Sequence, residues 1–373
     1  MGDNTKSKRN SNMELLRILA MLMIIAYHIF IHCVDYQLTD FTNDNSTWQY
    51  FANPVFIKKL LILSSVSPMG QIGNGIFVLI TGYFMANKGK DLDLAKTSKK
   101  LLIQMGFASI LLTVMSMTYS FISQSHQAKI LNFNMFNEMA WFIGYYFTVI
   151  VLAKIFLNDW ISKWNQKNYL MFIMIIFTMT QIGWCYSLIR SLGSELEILL
   201  GGVFWYALGG YIRKYNPFDR LRTWIIIAVI IVSNIMIWVN FYNITVNNIR
   251  EYIPENGEIF KQIIPKYGNS SIIVICITVA VFELFRRMAI KTSRVINFLG
   301  ASTFMVYLIH DNQFFYNVWN NLDWLAILHN NPGLYIIKNI YWVIIMFALG
   351  VASYTTYILI GKLFKVIKPI MIK

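Results

Sequence analysis

The apolar positions of this chain fall in long unbroken blocks, not in alternation. Ten such blocks stand out, at residues 13–33, 60–86, 101–123, 140–157, 169–189, 196–212, 223–242, 269–285, 295–315 and 334–360. Blocks of about 20 apolar residues match the thickness of a bilayer's hydrocarbon layer, whereas a membrane β-strand needs only about 10 residues and alternates. With no water in that layer, each segment must satisfy its own backbone hydrogen bonds. The pattern therefore predicts an all-α polytopic membrane protein of about ten transmembrane helices. Near Pro68, the glycines Gly70, Gly73 and Gly75 predict a broken or re-entrant start to the second membrane helix.

Composition agrees, with 57% hydrophobic and 13% charged residues. The net charge of +14 has a topological reading. With the N-terminus inside, 24 of the 32 Lys and Arg residues fall in segments on the cytoplasmic side, as the positive-inside rule expects. Both termini are then cytoplasmic, and membrane lipid accounts for the basic balance without nucleic acid. The expected organisation is a tail over residues 1–12, one transmembrane domain over 13–361 and a basic tail over 362–373. The first span is too long in its apolar stretch for a cleaved signal peptide and stays in place. The connecting segments 34–59 and 243–268 are too short for a soluble domain. Cys33, Cys185 and Cys276 have no metal-ligand spacing and are expected to pack as small apolar residues.

The stretch ELLRILAMLMIIAYHIFIH, Glu14 to His32, puts ionisable groups inside the first span. Arg17 and His28 are eleven positions apart, close to three turns, and so share one helix face about 16 Å apart along the axis. Arg17 would sit near the inner boundary, where snorkelling is its bland explanation. His28 lies past mid-membrane, where an ionisable side chain points to function. His32 and Asp35 continue the stripe at i+4 and i+7 of His28, and the H-x-x-x-H spacing alone is a weak zinc signal, so no metal is expected.

Arg17 and His28, with ten residues between them, resemble the R-x10-H motif of the membrane acyltransferase 3 family. GNGIFVLITGYF, Gly73 to Phe84, is similar to that family's second-span pattern, with Thr81-Gly82-Tyr83 in the place of Ser-Gly-aromatic. FLGASTFMVYLIH, Phe298 to His310, resembles its late pattern, with Thr303 at the Ser position followed by Tyr307 and His310. The resemblance spans nearly the whole chain. It implies an integral membrane O-acyltransferase that moves an acetyl or other short acyl group from cytoplasmic acyl-CoA to a hydroxyl of a cell-surface or lipid-linked glycan. It also implies a bacterial plasma-membrane location and no bound cofactor beyond the donor substrate.

On that reading Arg17 suits an oxygen of CoA and His28 a general base or, second, an acyl-accepting nucleophile. Glu14 would position Arg17 or the donor, or serve only the helix dipole. Asn74 and Thr81, seven apart on one face, are candidate acceptor contacts, with interhelical hydrogen bonding as the alternative. Tyr307 and His310, three apart, would hold the acceptor or face the oxyanion, or else mark the outer interface. Some relatives carry a second, esterase-like domain; without one the bundle itself must meet an acceptor at the membrane. Arg286 and Arg287, or Arg220 and Arg222, match the family's inner arginine pair only loosely and are not carried over as sites. The rival class is a polysaccharide or lipid-linked sugar exporter, which many spans, aromatic residues and helix glycines suit equally.

Overall fold

The computed structural model describes residues 9–39, 54–86, 93–122, 141–181, 188–189, 191–251, 263–269, 271–289 and 292–371. These are helical, with no strand among the described residues. The helices are α1 (Ser11–Ile29), α2 (Pro54–Val66), α3 (Met69–Met85), α4 (Leu94–Ile122), α5 (Trp141–Leu152), α6 (Gln166–Gln181), α7 (Ser194–Tyr215), α8 (Thr223–Glu251), α9 (Ile272–Arg287), α10 (Arg294–His310), α11 (Gln313–Asn320), α12 (Trp324–Asn330) and α13 (Pro332–Met371). Helix α1 runs on through a π-helical turn, Phe30–Val34, into Asp35–Thr39, and α5 through another, Ala153–Leu157, into Asn158–Lys163.

Among the described residues, six stretches are long and apolar enough to cross a membrane: Ser11–Leu38, Val55–Met85, Leu94–Ile122, Trp141–Lys163, Thr223–Thr245 and Pro332–Phe364. The other four expected spans coincide with α6, α7, α9 and α10, of 16, 22, 16 and 17 residues. The peripheral helices α4, α8 and α13 turn bare aliphatic and aromatic side chains outward, among them Ile110 (70% exposed), Phe121 (87%) and Ile337 (65%). Such faces are stable against lipid and not against water. The chain is a multi-helix membrane protein.

Helix α3 passes through the centre, packed on α1 along one face and on α7 along another. Glycine makes both contacts possible. A Cβ at Gly73 would strike Ile24 of α1 at 2.6 Å, and one at Gly209 of α7 would strike the amide of Tyr83 at 2.7 Å and the carbonyl of Leu79. Small residues let membrane helices approach backbone to backbone, where dispersion contacts replace a hydrophobic drive that lipid does not supply. The expected break before α3 is present, as a turn at Ser67–Pro68.

Helices α1 and α10 lie side by side and run parallel. At their starts, Ser11 Oγ donates to Asn297 Oδ1 (2.9 Å) and accepts from the amide of Ser293 (2.9 Å). Further along, His28 follows Ser11 by 17 residues, as His310 follows Ser293, and these two histidines meet. The pair is thus in register from end to end.

Several boundaries differ from the pattern reading. The span expected to reach 315 ends at His310, because Asp311 leaves the helical region and Asn312 becomes the N-cap of α11, accepting from the amide of Phe315 (3.3 Å). Helices α11 and α12 then fold over the end of the bundle. Gln37 fastens them, donating to Leu322 O (2.9 Å) and accepting from the amide of Trp324 (2.9 Å). At the other end of the chain α13 continues to Met371, well past 360, as basic residues at a helix C-terminus permit.

Gly209→Leu should force α7 off α3. Overpacking of this kind costs about 1–3 kcal/mol, so the detergent-solubilised variant is expected to melt several degrees below wild type, as checked by a thermal-shift assay.

Candidate active site

The site begins at the first turn of α1. Glu14 is 4% exposed and sits against Gly300 of α10, which has no side chain to displace it. Its Oε1 accepts from Arg17 Nη1 at 2.8 Å and lies 3.9 Å from Arg9 Nη1. The carboxylate therefore fixes Arg17 through a charge-assisted bond between i and i+3, leaving Arg17 about 29% exposed.

Arg17 opens onto a cavity of about 390 Å³ between α1, α3, α4, α5 and α10. Arg9, Arg17, Lys96 and Lys100 line it. Along α1 its wall continues through Met21 and Ile24, at i+4 and i+7 from Arg17. Polar groups are few: Thr81, Gln104 and Tyr146 among them, with Thr81 Oγ1 3.2 Å from Tyr146 Oη. Aromatic rings form another part of the wall. Phe142 lies 6.3 Å from Phe77, 6.0 Å from Tyr146 and 5.8 Å from Tyr307, ring to ring. A cavity of this size, mostly apolar with a few placed polar groups and a basic end, has the character of a small-molecule site.

One helical turn beyond Ile24 stands His28, just past the cavity wall. It belongs to a cluster of His28, His32, His310, Asp311 and Tyr316. His310 is fully buried, and its Nδ1 lies 2.8 Å from Val306 O, an obligatory acceptor, so Nδ1 carries the proton. Neutral His310 then offers only a lone pair at Nε2, and His28 Nδ1, 3.0 Å away, must donate to it. The same Nδ1–H faces Asp311 Oδ1 at 3.4 Å. With His310 neutral, the network gives His28 the tautomer protonated at Nδ1 and leaves its Nε2 without a proton. Asp311 is buried and accepts from Tyr316 Oη. The Tyr316 ring stacks on His32 at 3.9 Å, and Tyr307, against His310 at 5.8 Å, joins the cluster to the cavity wall. Tyr307 Oη is buried beside Asp311 and the Phe142 backbone.

Of the residues singled out from the sequence, the structure gathers Glu14, Arg17, Thr81 and Tyr307 at or beside one cavity and His28 with His310 at its edge. Asn74 is half-buried on the same face of α3 as Thr81 but does not line the cavity. Asp35 leaves the expected stripe. The π-helical turn inserts an extra residue per turn after Ile29, so Asp35 swings to pair with Lys266 at 2.9 Å while His32 stays with Tyr316. Sequence reading missed the roles of Asp311, Tyr316, Lys96, Lys100 and Phe142. Asp311 was signalled only by adjacency to His310, and the two lysines were absorbed in a basic connecting segment.

Residues 10–358 match the family described as an acyltransferase domain. The chain belongs to the acyltransferase 3 family. The match takes in every element of the cavity and the histidine cluster, and with the lipid-facing helices it makes the protein a membrane acyltransferase. No curated protein and no solved structure matches the chain.

The His28–His310 bond should show as energetic coupling. In a double-mutant cycle with His28→Ala and His310→Ala, the two losses in stability are expected to be non-additive by about 0.5–3 kcal/mol. Thermal unfolding of the four purified proteins checks this, and strict additivity would rule out the shared proton.

Proposed function

We propose that the protein transfers a short acyl group, acetyl being the first candidate, from cytoplasmic acyl-CoA to a hydroxyl of a cell-surface or lipid-linked glycan. One observation carries this reading: a cavity with four cationic side chains at its wall reaches to one helical turn from His28, whose Nδ1 lies 3.0 Å from His310 Nε2. Arg9, Arg17, Lys96 and Lys100 suit the phosphates of CoA, and guanidinium forks suit them best. The largely apolar interior suits the pantetheine arm.

In the proposed reaction His28 Nε2 takes the proton of the acceptor hydroxyl as its oxygen attacks the thioester carbonyl. The new C–O bond forms and negative charge moves to the carbonyl oxygen, to which the Tyr307 hydroxyl donates in this proposal. Collapse breaks the C–S bond, and the imidazolium returns its proton to the leaving thiolate. Asp311, 3.4 Å from His28 Nδ1, offsets the positive charge that His28 carries in between. The opposite order of polarity at the two parts of the site supports this division of labour: cations for an anionic donor, and a carboxylate behind the base.

Labelled acetyl from acetyl-CoA should enter the glycan fraction of membranes containing the protein. His28→Ala should lower the rate by about 10²–10⁴, the usual worth of a general base. Arg17→Ala should act mainly on KM for acyl-CoA, raising it about tenfold or more for the loss of a charged hydrogen bond. Label unaffected by His28→Ala would dismiss the base role, and an unchanged glycan with altered export would favour an exporter.

The aromatic wall supports a short acyl group. Phe142 touches Phe77, Tyr146 and Tyr307, so its ring occupies space next to the path between cavity and histidines. Phe142→Ala is expected to raise hexanoyl over acetyl transfer by about tenfold, since each methylene accommodated is worth about 1–3 kcal/mol. Competition between the two acyl-CoAs measures the ratio.

A further inference from the structure

A second cavity, also of about 390 Å³, lies between α6, α7, α8 and α9, away from the site described above. Its walls are aliphatic and aromatic, with Phe177, Phe204, Val229 and Ile275 among them. Among the described residues, the one charged side chain on its wall is Glu283. That carboxylate is buried and doubly held, by Arg286 Nε at 2.7 Å and Arg287 Nε at 2.7 Å, so it presents no free negative charge to the groove.

The loop between α7 and α8 bounds one end of this groove through Phe218 and Leu221. It is an unusually determined loop. Asn216 ends α7 in the left-handed region at φ 44°. Arg287 donates to the carbonyls of Phe218 (2.5 Å) and Leu221 (2.6 Å), and Arg286 pairs with Asp219. With Phe218 and Leu221 turned to the groove, the residues on either side of Leu221, Arg220 and Arg222, are exposed. The loop's acid is already engaged by Arg286. Trp224, 63% exposed, follows them at the start of α8, as tryptophans do at a membrane interface.

An apolar slot on the lipid-facing side of the bundle, with two exposed arginines in the loop that bounds its end, matches one class of ligand in both halves. We propose that it is a binding site for an anionic phospholipid, with an acyl chain in the groove and the headgroup phosphate received by Arg220 and Arg222. A fork of N–H donors suits phosphate oxygens, and holding the loop by Arg286 and Arg287 reduces the ordering cost of binding. A zwitterionic lipid would fill the same slot without the charge match, so the arginines make the site selective and not merely greasy. This inference does not depend on the identity of the acyl donor or acceptor.

Cys276 lies on the groove wall and reports its occupancy. The purified full chain would be treated with N-ethylmaleimide in detergent with added phosphatidylglycerol or phosphatidylcholine of identical chains, and modification followed at Cys276 by peptide mass spectrometry. Phosphatidylglycerol is expected to slow alkylation at least threefold more than phosphatidylcholine. That difference should vanish in the exposed-loop variant Arg220→Gln/Arg222→Gln and shrink in high salt, since exposed charge contacts are screened. Equal protection by the two lipids in the wild type, or a preference that survives in the variant, would overturn the proposal. Protection by glycerol phosphate alone would also overturn it, because no acyl chain would then be needed.

Discussion

The in-register contact between α1 and α10 governs the rest of the molecule. A serine knot ties the two helices at their starts, and the His28–His310 hydrogen bond ties them 17 residues later. In a hydrocarbon layer a polar group without a partner is costly, so a pair of helices carrying matched polar groups at both ends has little freedom to slide. Glycines make the contact close. Gly300 gives way to Glu14, and Gly350 of α13 packs on Val306, whose carbonyl fixes the proton on His310. Backbone packing and histidine tautomer are therefore linked through one residue.

The cavity follows from this pairing. With α10 and α3 held against α1 on either side, α4 and α5 complete a wall around the stripe of Arg17, Met21 and Ile24. The helix that crosses the layer thus carries Arg17 and His28 on one face. The π-helical turn after Ile29 lies just beyond His28. It redirects Asp35 to Lys266 and leaves Asp311 as the carboxylate at His28. The cap of α11 and α12, fastened by Gln37 and by Asn320 on His32 O (3.3 Å), closes over that end and brings Tyr316 to Asp311.

Peripheral and central helices answer to different demands. Helices α4, α8 and α13 face lipid and are long and mostly apolar. Helices α9 and α10 are shorter and carry Glu283, His310 and similar groups inside the protein, where partners are available. Helix α9 ends in Arg286 and Arg287, which serve its own buried carboxylate and the neighbouring loop and have no place at the cavity of α1.

What the sequence determined by itself is what depends on local period and composition. Long apolar blocks made the fold helical and membrane-bound, eleven residues put Arg17 and His28 on one face, and Pro68 among glycines marked the break before α3. Three motifs in order made the family legible. Tertiary structure alone decided which groups meet. His28 and His310 are 282 positions apart, and nothing in either helix's own period says that they share a proton. Asp311 became the carboxylate of the cluster because the helix ends one residue before it, and Asp35 was lost from the cluster to a π-helical turn. Lys96 and Lys100 joined the cavity only once α4 was placed against α1. The reason is physical: helix periodicity is set by bonds four residues apart, whereas proton ownership and cavity walls are set by contacts between segments far apart in the chain.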